Sequence, residues 1–199
     1  MVATSRRLDA RDLALIAVFA ALIAVLGVPG AITVGNLAPV TAQTLGVMLA
    51  GSILGARRGA LAVLVFMVLV AAGLPLLAMG RGGLAVFTSV TGGFDLGFIP
   101  GAYVIGWLVE HRPEKFGLGW LIMANFVGGV LVIYAFGIPV MAWVLGIPIT
   151  KALFTALVYV PGDLIKVAIA AVVTAAVMRG YPAAVVARKG AEPADLVKR

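Results

Sequence analysis

VPGDLIKVAIAAVVTAAV, residues 160–177, carries one acid and one base, Asp163 and Lys166, at the head of a run otherwise free of charge. Three residues apart on a helix, the two side chains share one face. A run this apolar belongs in lipid, where a helix of about 20 residues crosses the hydrocarbon core. There an ionisable group is expensive unless it is paired or wetted, and it marks a functional site by default. Two readings follow for the pair. It is an internal ion pair clamping the bundle, or it is a polar pocket in which Asp163 accepts hydrogen bonds and Lys166 donates them.

The rest of the chain agrees with lipid. Of 199 residues, 63% are hydrophobic and 12% charged, and mean hydropathy is +1.16. A soluble domain has roughly a quarter charged residues and about half apolar ones. This is an integral membrane protein. Its 25 glycines suit closely packed transmembrane helices. The absence of cysteine excludes disulfides, thiolate metal sites and cysteine nucleophiles.

The expected fold is an all-α membrane protein of six transmembrane helices. The first expected span runs from Leu13 to Val28, and the second lies within Thr41–Ala56, closed by ARRG. The third fills Gly59 to about Ala78, ending near Pro75, and the fourth covers Thr91–Val109. A fifth starts at Leu118 and fades around Gly137–Pro139. The sixth runs from Pro161, suited to a first helical turn, to Met178. Between them Ile138–Thr150, interrupted by Pro139, Gly146 and Pro148, reads as a re-entrant or interfacial stretch. The N-terminal SRRLDARDLALIAVFAALIAVLGVPGA has the make-up of a signal peptide, but five further spans follow, so it is read as an uncleaved first helix. Three regions result: a cytoplasmic segment over 1–11, a transmembrane domain over 12–180, and a polar cytoplasmic tail over 181–199.

Lysine and arginine placement sets the orientation. In a six-span arrangement Arg6, Arg7, Arg11, Arg57, Arg58, Arg112, Lys115, Arg179, Arg188, Lys189, Lys198 and Arg199 share one side. Only Arg81 and Lys151 fall on the other. Both termini are therefore expected in the cytoplasm, and the net charge of +7 reflects topology rather than nucleic-acid binding.

Enzymatic signatures are scarce. There is no G-x-x-x-x-G-K-[ST] phosphate loop and no serine, histidine and acid set for acyl transfer. The single histidine, His111, stands between Glu110 and Arg112 as a loop residue, with no second metal ligand near it in sequence. No catalytic residue, metal or cofactor is expected. Polar groups instead collect on the side opposite the basic loops. APVTAQT (Ala38–Thr44) supplies Thr41, Gln43 and Thr44, which serve either a site or helix capping. MGRGGLAVFTSVTGGFD (Met79–Asp95) carries Arg81, suited to holding a carboxylate, beside Gly82 and Gly83, where the backbone can approach a ligand. Asp95 is a second intramembrane acid, a candidate partner of Arg81 or Lys166. Trp107, Trp120, Trp143 and Tyr159 fit interfacial belts. Ala17 with Ala21, and Ala20 with Ala24, form small-residue pairs on the first helix; Gly51, Gly55 and Gly59, and Gly93, Gly97 and Gly101, repeat that spacing as packing faces.

Three segments in this order, PVTAQTLGVMLAGSILGARRGALAVLVFMVLVAAGLPLLAMGRGGLAVF, TGGFDLGFIPGAYVIGWL and PGDLIKVAIAA, resemble the BioY family. Those proteins are the biotin-binding membrane subunits, or S components, of energy-coupling factor (ECF) transporters. The resemblance spans about residues 11–180, with one departure: Asp95 stands where an apolar residue is expected. It implies the six-helix S-component fold and a pocket for biotin near the outer face, under the loops joining helices one to two and three to four. Biotin would be a transported ligand, not a cofactor. The resemblance also implies a multi-pass protein of a bacterial or archaeal cell membrane. Its partners would be an ECF transmembrane coupling subunit and two cytoplasmic ATPases, with homo-oligomers open. Asp163 would then accept from the ureido N–H groups, Lys166 would donate to the ureido carbonyl or the carboxylate, and Arg81 would hold the carboxylate. Thr41, Gln43 and Thr44 would form a wall. Ala17 and Ala21, with Ala20 and Ala24, would face the coupling subunit. The alternatives are an S component for another vitamin, or a small membrane enzyme using Asp163 and Asp95.

Overall fold

The computed structural model describes residues 8–27, 41–111 and 117–181. The expectations resting on Arg6, Arg7, Arg112, Lys115, the first loop over 28–40 and the tail beyond Tyr181 lie outside these residues. Among the described residues there are six main helices and no strand: α1 (Ala10–Val25), α2 (Gln43–Leu54), α3 (Ala56–Ala71), α4 (Gly92–Glu110), α5 (Leu118–Leu145) and α6 (Ile149–Gly180).

Helix length separates them. The last three are long and apolar enough to cross a membrane. α1 and α3 have 16 residues each, about 24 Å. α2 is shorter still, seven α-helical residues followed by five π-helical ones. It has no exposed residue, and Val47, Met48 and Ala50 are fully buried. The second expected span is thus a wedge inside the bundle. Lipid need not touch it, so bilayer thickness does not set its length.

Two expectations near the C-terminus are corrected. Ile138–Thr150 is not re-entrant, because α5 continues through Pro139 to Leu145 and stops only at Gly146, which takes the left-handed conformation (φ 63°). After Ile147 and Pro148 the chain re-enters helix at Ile149, so α6 does not begin at Pro161. A 3₁₀ turn at Leu157–Tyr159 adjusts the backbone just before that proline. In membrane helices such local adjustments let proline sit inside a span, which is why proline misplaced both boundaries. The third helix is also shorter than expected, ending in a turn at Ala72–Gly73, with Gly73 at φ 103°.

α4 is the central helix, packed against α3 and the second half of α5. A Cβ on Gly93, Gly97 or Gly101 would press on Phe136 and Val140, on Ile133, and on Gly128 and Ile133 respectively. That row is therefore an internal packing face. At one end of the bundle Arg58 pairs with Asp12 (3.0 Å), joining α1 to α3, and Arg11 donates to the Tyr181 hydroxyl (3.1 Å) past α6. Glu110 at the end of α4 accepts the Ala56 N–H at the start of α3 (2.8 Å). This basic end gathers Arg11, Arg57, Arg58 and Arg179, as the loop charges led one to expect. The opposite end carries the α3–α4 loop with Arg81.

Candidate functional site

Polar residues from α2, α4, α5, α6 and the α3–α4 loop converge on one pocket. Its wall is built by α2 (Gln43, Thr44), preceded by Thr41; by the α3–α4 loop (Arg81, Thr91); by α4 (Phe94, Asp95, Phe98); by α5 (Ile133, Tyr134); and by α6 (Tyr159, Asp163, Lys166). Asp163 and Lys166 lie about four turns into α6, not within its first two, because the helix starts earlier than the sequence suggested. Their depth raises the cost of leaving either charge unpaired.

Neither is. Lys166 Nζ donates to Asp163 Oδ1 and to Thr44 Oγ1, both at 2.9 Å. Thr44 Oγ1 is itself 3.4 Å from Asp163 Oδ1, a long contact for a hydroxyl donor. Tyr134 donates its hydroxyl to Asp163 Oδ2 at 2.7 Å. The aspartate and lysine side chains are 7% and 13% exposed. Three helices, α2, α5 and α6, thus supply one cluster. It keeps an acceptor and a cationic donor side by side at the pocket wall, stabilised while empty by their mutual attraction.

Facing the cluster is an aromatic surface. Phe94 meets Tyr134 edge to face (centroids 5.5 Å) and Tyr159 at 6.3 Å. Tyr159 therefore belongs to the pocket rather than to an interfacial belt, whereas Trp143 is mostly exposed and Trp107 stacks on His111 at the end of α4. Sequence reasoning missed Tyr134, Phe94, Phe98 and Ile133. Tyr134 had a usable signal: a phenol deep in an apolar helix needs a polar partner. The others had none, since apolar wall and apolar core look alike in sequence.

The remaining expected residues divide. Thr41 Oγ1 accepts the Gln43 N–H (3.3 Å) at the start of α2. Gln43 lines the pocket, but its amide is engaged by the loop: Nε2 donates to Leu76 O (2.9 Å) and Oε1 accepts from Ala78 N–H (3.3 Å). It positions the loop over the pocket rather than offering free polar atoms. Arg81 donates through Nε to Ala78 O (3.3 Å) and through Nη1 to Thr91 Oγ1 (3.1 Å), which turns its head toward α4. Gly82 and Gly83 stand outside the lining. Gly82 packs against the Leu74 carbonyl, while Gly83, at φ 83°, donates its N–H to Val70 O (2.7 Å) and ties the loop to α3. Asp95 forms no ion pair among the described residues; Lys166 is taken by Asp163 and Arg81 by Thr91. On α1, Ala17 and Ala21 are exposed, but Ala20 is buried and Ala24 packs on the core, so only the first pair presents an outward face.

Six helices around a polar, aromatic-walled pocket, with no exposed charge along the spans beyond their ends, define a membrane-embedded protein that holds a small solute. Comparison with known proteins gives the family. Residues 2–183 match the sequence model of the BioY family, and the chain belongs to that family. It is 50% identical over 182 residues to the biotin transporter BioY of Rhizobium etli, covering 88% of this chain and 97% of that one. It is 43% identical to the biotin transporter BioY of Rhodobacter capsulatus, covering 89% and 98%. Among solved structures it matches the S component for biotin from an ECF-type ABC transporter, with a TM-score of 0.80 and 28% identity over 90% of this chain and 95% of that one.

Proposed function

We propose that this chain is a biotin-binding S component, capturing biotin at the outer face of the cell membrane and passing it inward with an ECF coupling module. The observation that carries this reading is the Asp163–Lys166–Thr44–Tyr134 cluster, an acceptor and a donor fixed together in a pocket of aromatic walls. A cyclic urea presents N–H donors and a carbonyl acceptor in the same juxtaposition. Its N–H groups take the Asp163 carboxylate in place of the long Thr44 contact, and Lys166 swings to the carbonyl. Phe94, Phe98, Ile133, Tyr134 and Tyr159 cover the thioether ring, and Arg81 lies on the side that receives the carboxylate. The kinship with biotin transporters supports the choice of ligand.

The basic end, with Arg11, Arg57, Arg58 and Arg179, faces the cytoplasm under the positive-inside rule, which sets both termini there and the pocket outward. As a binding subunit the chain catalyses no reaction; a transmembrane coupling subunit and two ATPases drive the movement. The exposed face of Ala17 and Ala21 on α1 is the docking surface for the coupling subunit. Replacing Ala17 with Trp is then expected to lower biotin uptake in cells that supply the coupling module, while purified protein keeps its affinity.

Equilibrium binding of labelled biotin to purified protein in detergent, with other vitamins and a fatty acid as competitors, tests the reading. Displacement by unlabelled biotin alone is expected. Displacement by another vitamin would move the chain to a different substrate, and chemical conversion of the ligand would favour a membrane enzyme.

A further inference from the structure

Asp95 is a pocket acid that the Asp163–Lys166 cluster does not use. It is 5% exposed, in the first turn of α4, and its Oδ2 is buried without a hydrogen-bond partner among the described residues. A buried carboxylate oxygen left unmade is costly. Asp95 follows Thr91 by one helical turn and donates its own N–H to Thr91 O (3.1 Å). Thr91 Oγ1 accepts from Arg81 Nη1. Residues four apart on a helix are neighbours, so the guanidinium sits beside Asp95 on the same wall of the pocket. Arg81 has donors left after its bonds to Ala78 O and Thr91 Oγ1, because a guanidinium carries five N–H groups. This wall therefore offers a donor and a free acceptor together.

A ligand carboxylate would satisfy only half of it, and would set two anions against one guanidinium. A group that both accepts and donates satisfies the whole. We propose that Asp95 is a specificity-determining residue of the pocket, acting alongside Arg81 to admit a carboxamide end on the ligand as well as a free acid. The carboxamide oxygen accepts from Arg81, and its N–H donates to Asp95 Oδ2. The chain then captures amide conjugates of its ligand in addition to the acid. This inference rests on the biotin reading above.

The test is competition binding with biotin and its primary amide on purified wild type, Asp95→Asn and Asp95→Leu. Wild type is expected to bind the amide within about tenfold of the acid, and Asp95→Leu to shift that ratio against the amide by at least about tenfold, as for the loss of one bond to a charged acceptor. Asp95→Asn, closest in shape, keeps an acceptor oxygen and is expected to fall between the two. An acid-to-amide ratio that is the same in wild type and both variants overturns the assignment and leaves biotin binding intact. Wild type that binds neither compound overturns the biotin reading, and this inference with it.

Discussion

Two ion pairs of nearly equal length lie toward opposite ends of the molecule. Arg58 and Asp12 meet at 3.0 Å and Lys166 and Asp163 at 2.9 Å. The first joins α1 to α3 beside the apolar cluster of Ile16, Leu54 and Ala62. The start of α1 is closed separately by Asp9, whose Oδ1 accepts the Asp12 backbone N–H (2.8 Å). The second pair lies within one helix, so it ties no two helices together by itself. It is Thr44 from α2 and Tyr134 from α5 that connect it to the bundle, and all four residues face a pocket. Bond length and charge are the same in both places. What differs is that the first pair bridges two helices, whereas the polar atoms of the second line a pocket, and that separates a clamp from a site.

Substitutions at the two pairs should part accordingly. Asp163→Asn is expected to have the largest effect on biotin binding, about 3 kcal/mol or on the order of a hundredfold in Kd, because it weakens the charge-assisted acceptor that three side chains converge on. Unchanged affinity in labelled-biotin binding would put Asp163 in the same class as Asp12. Lys166→Met should follow, with a loss of about 2 kcal/mol in binding. If instead its affinity holds and only its melting temperature falls, the second pair is a clamp like the first. Tyr134→Phe removes a single hydrogen bond to Asp163 and is expected to cost about 1 kcal/mol of affinity, read in the same assay. Arg58→Met closes the series. Biotin affinity should stay at the wild-type value, while thermal unfolding reports a loss of about 1 kcal/mol of stability, the upper range for a partly exposed pair. A drop in affinity for that variant would mean that the two ends of the bundle are coupled.

How far the pocket could be read in advance follows the same division. Asp163, Lys166, Arg81, Thr41, Gln43 and Thr44 were legible because a polar residue at the edge of an apolar run is conspicuous. Their tasks were not. Gln43 holds the loop through Leu76 and Ala78, and Gly83 ties it to α3; neither partner is predictable from spacing along the chain. The alanines of α1 show the same limit: all four have one composition, yet a turn of the helix sends Ala20 inward and leaves Ala17 and Ala21 outside.

The amino-acid sequence by itself determined that the chain lives in a membrane, that its basic residues gather at one end, and that an acid and a base sit together on the last helix. Each of these depends on transfer of single segments between water and lipid, a property additive along the chain. Tertiary structure alone decided that α2 is a buried wedge, that α5 and α6 run through their prolines, and that Thr44 and Tyr134, 119 and 29 positions from Asp163, close the cluster around it. Those outcomes depend on how helices stack against one another. The glycine rows of α4 set that stacking through contacts that no single segment contains.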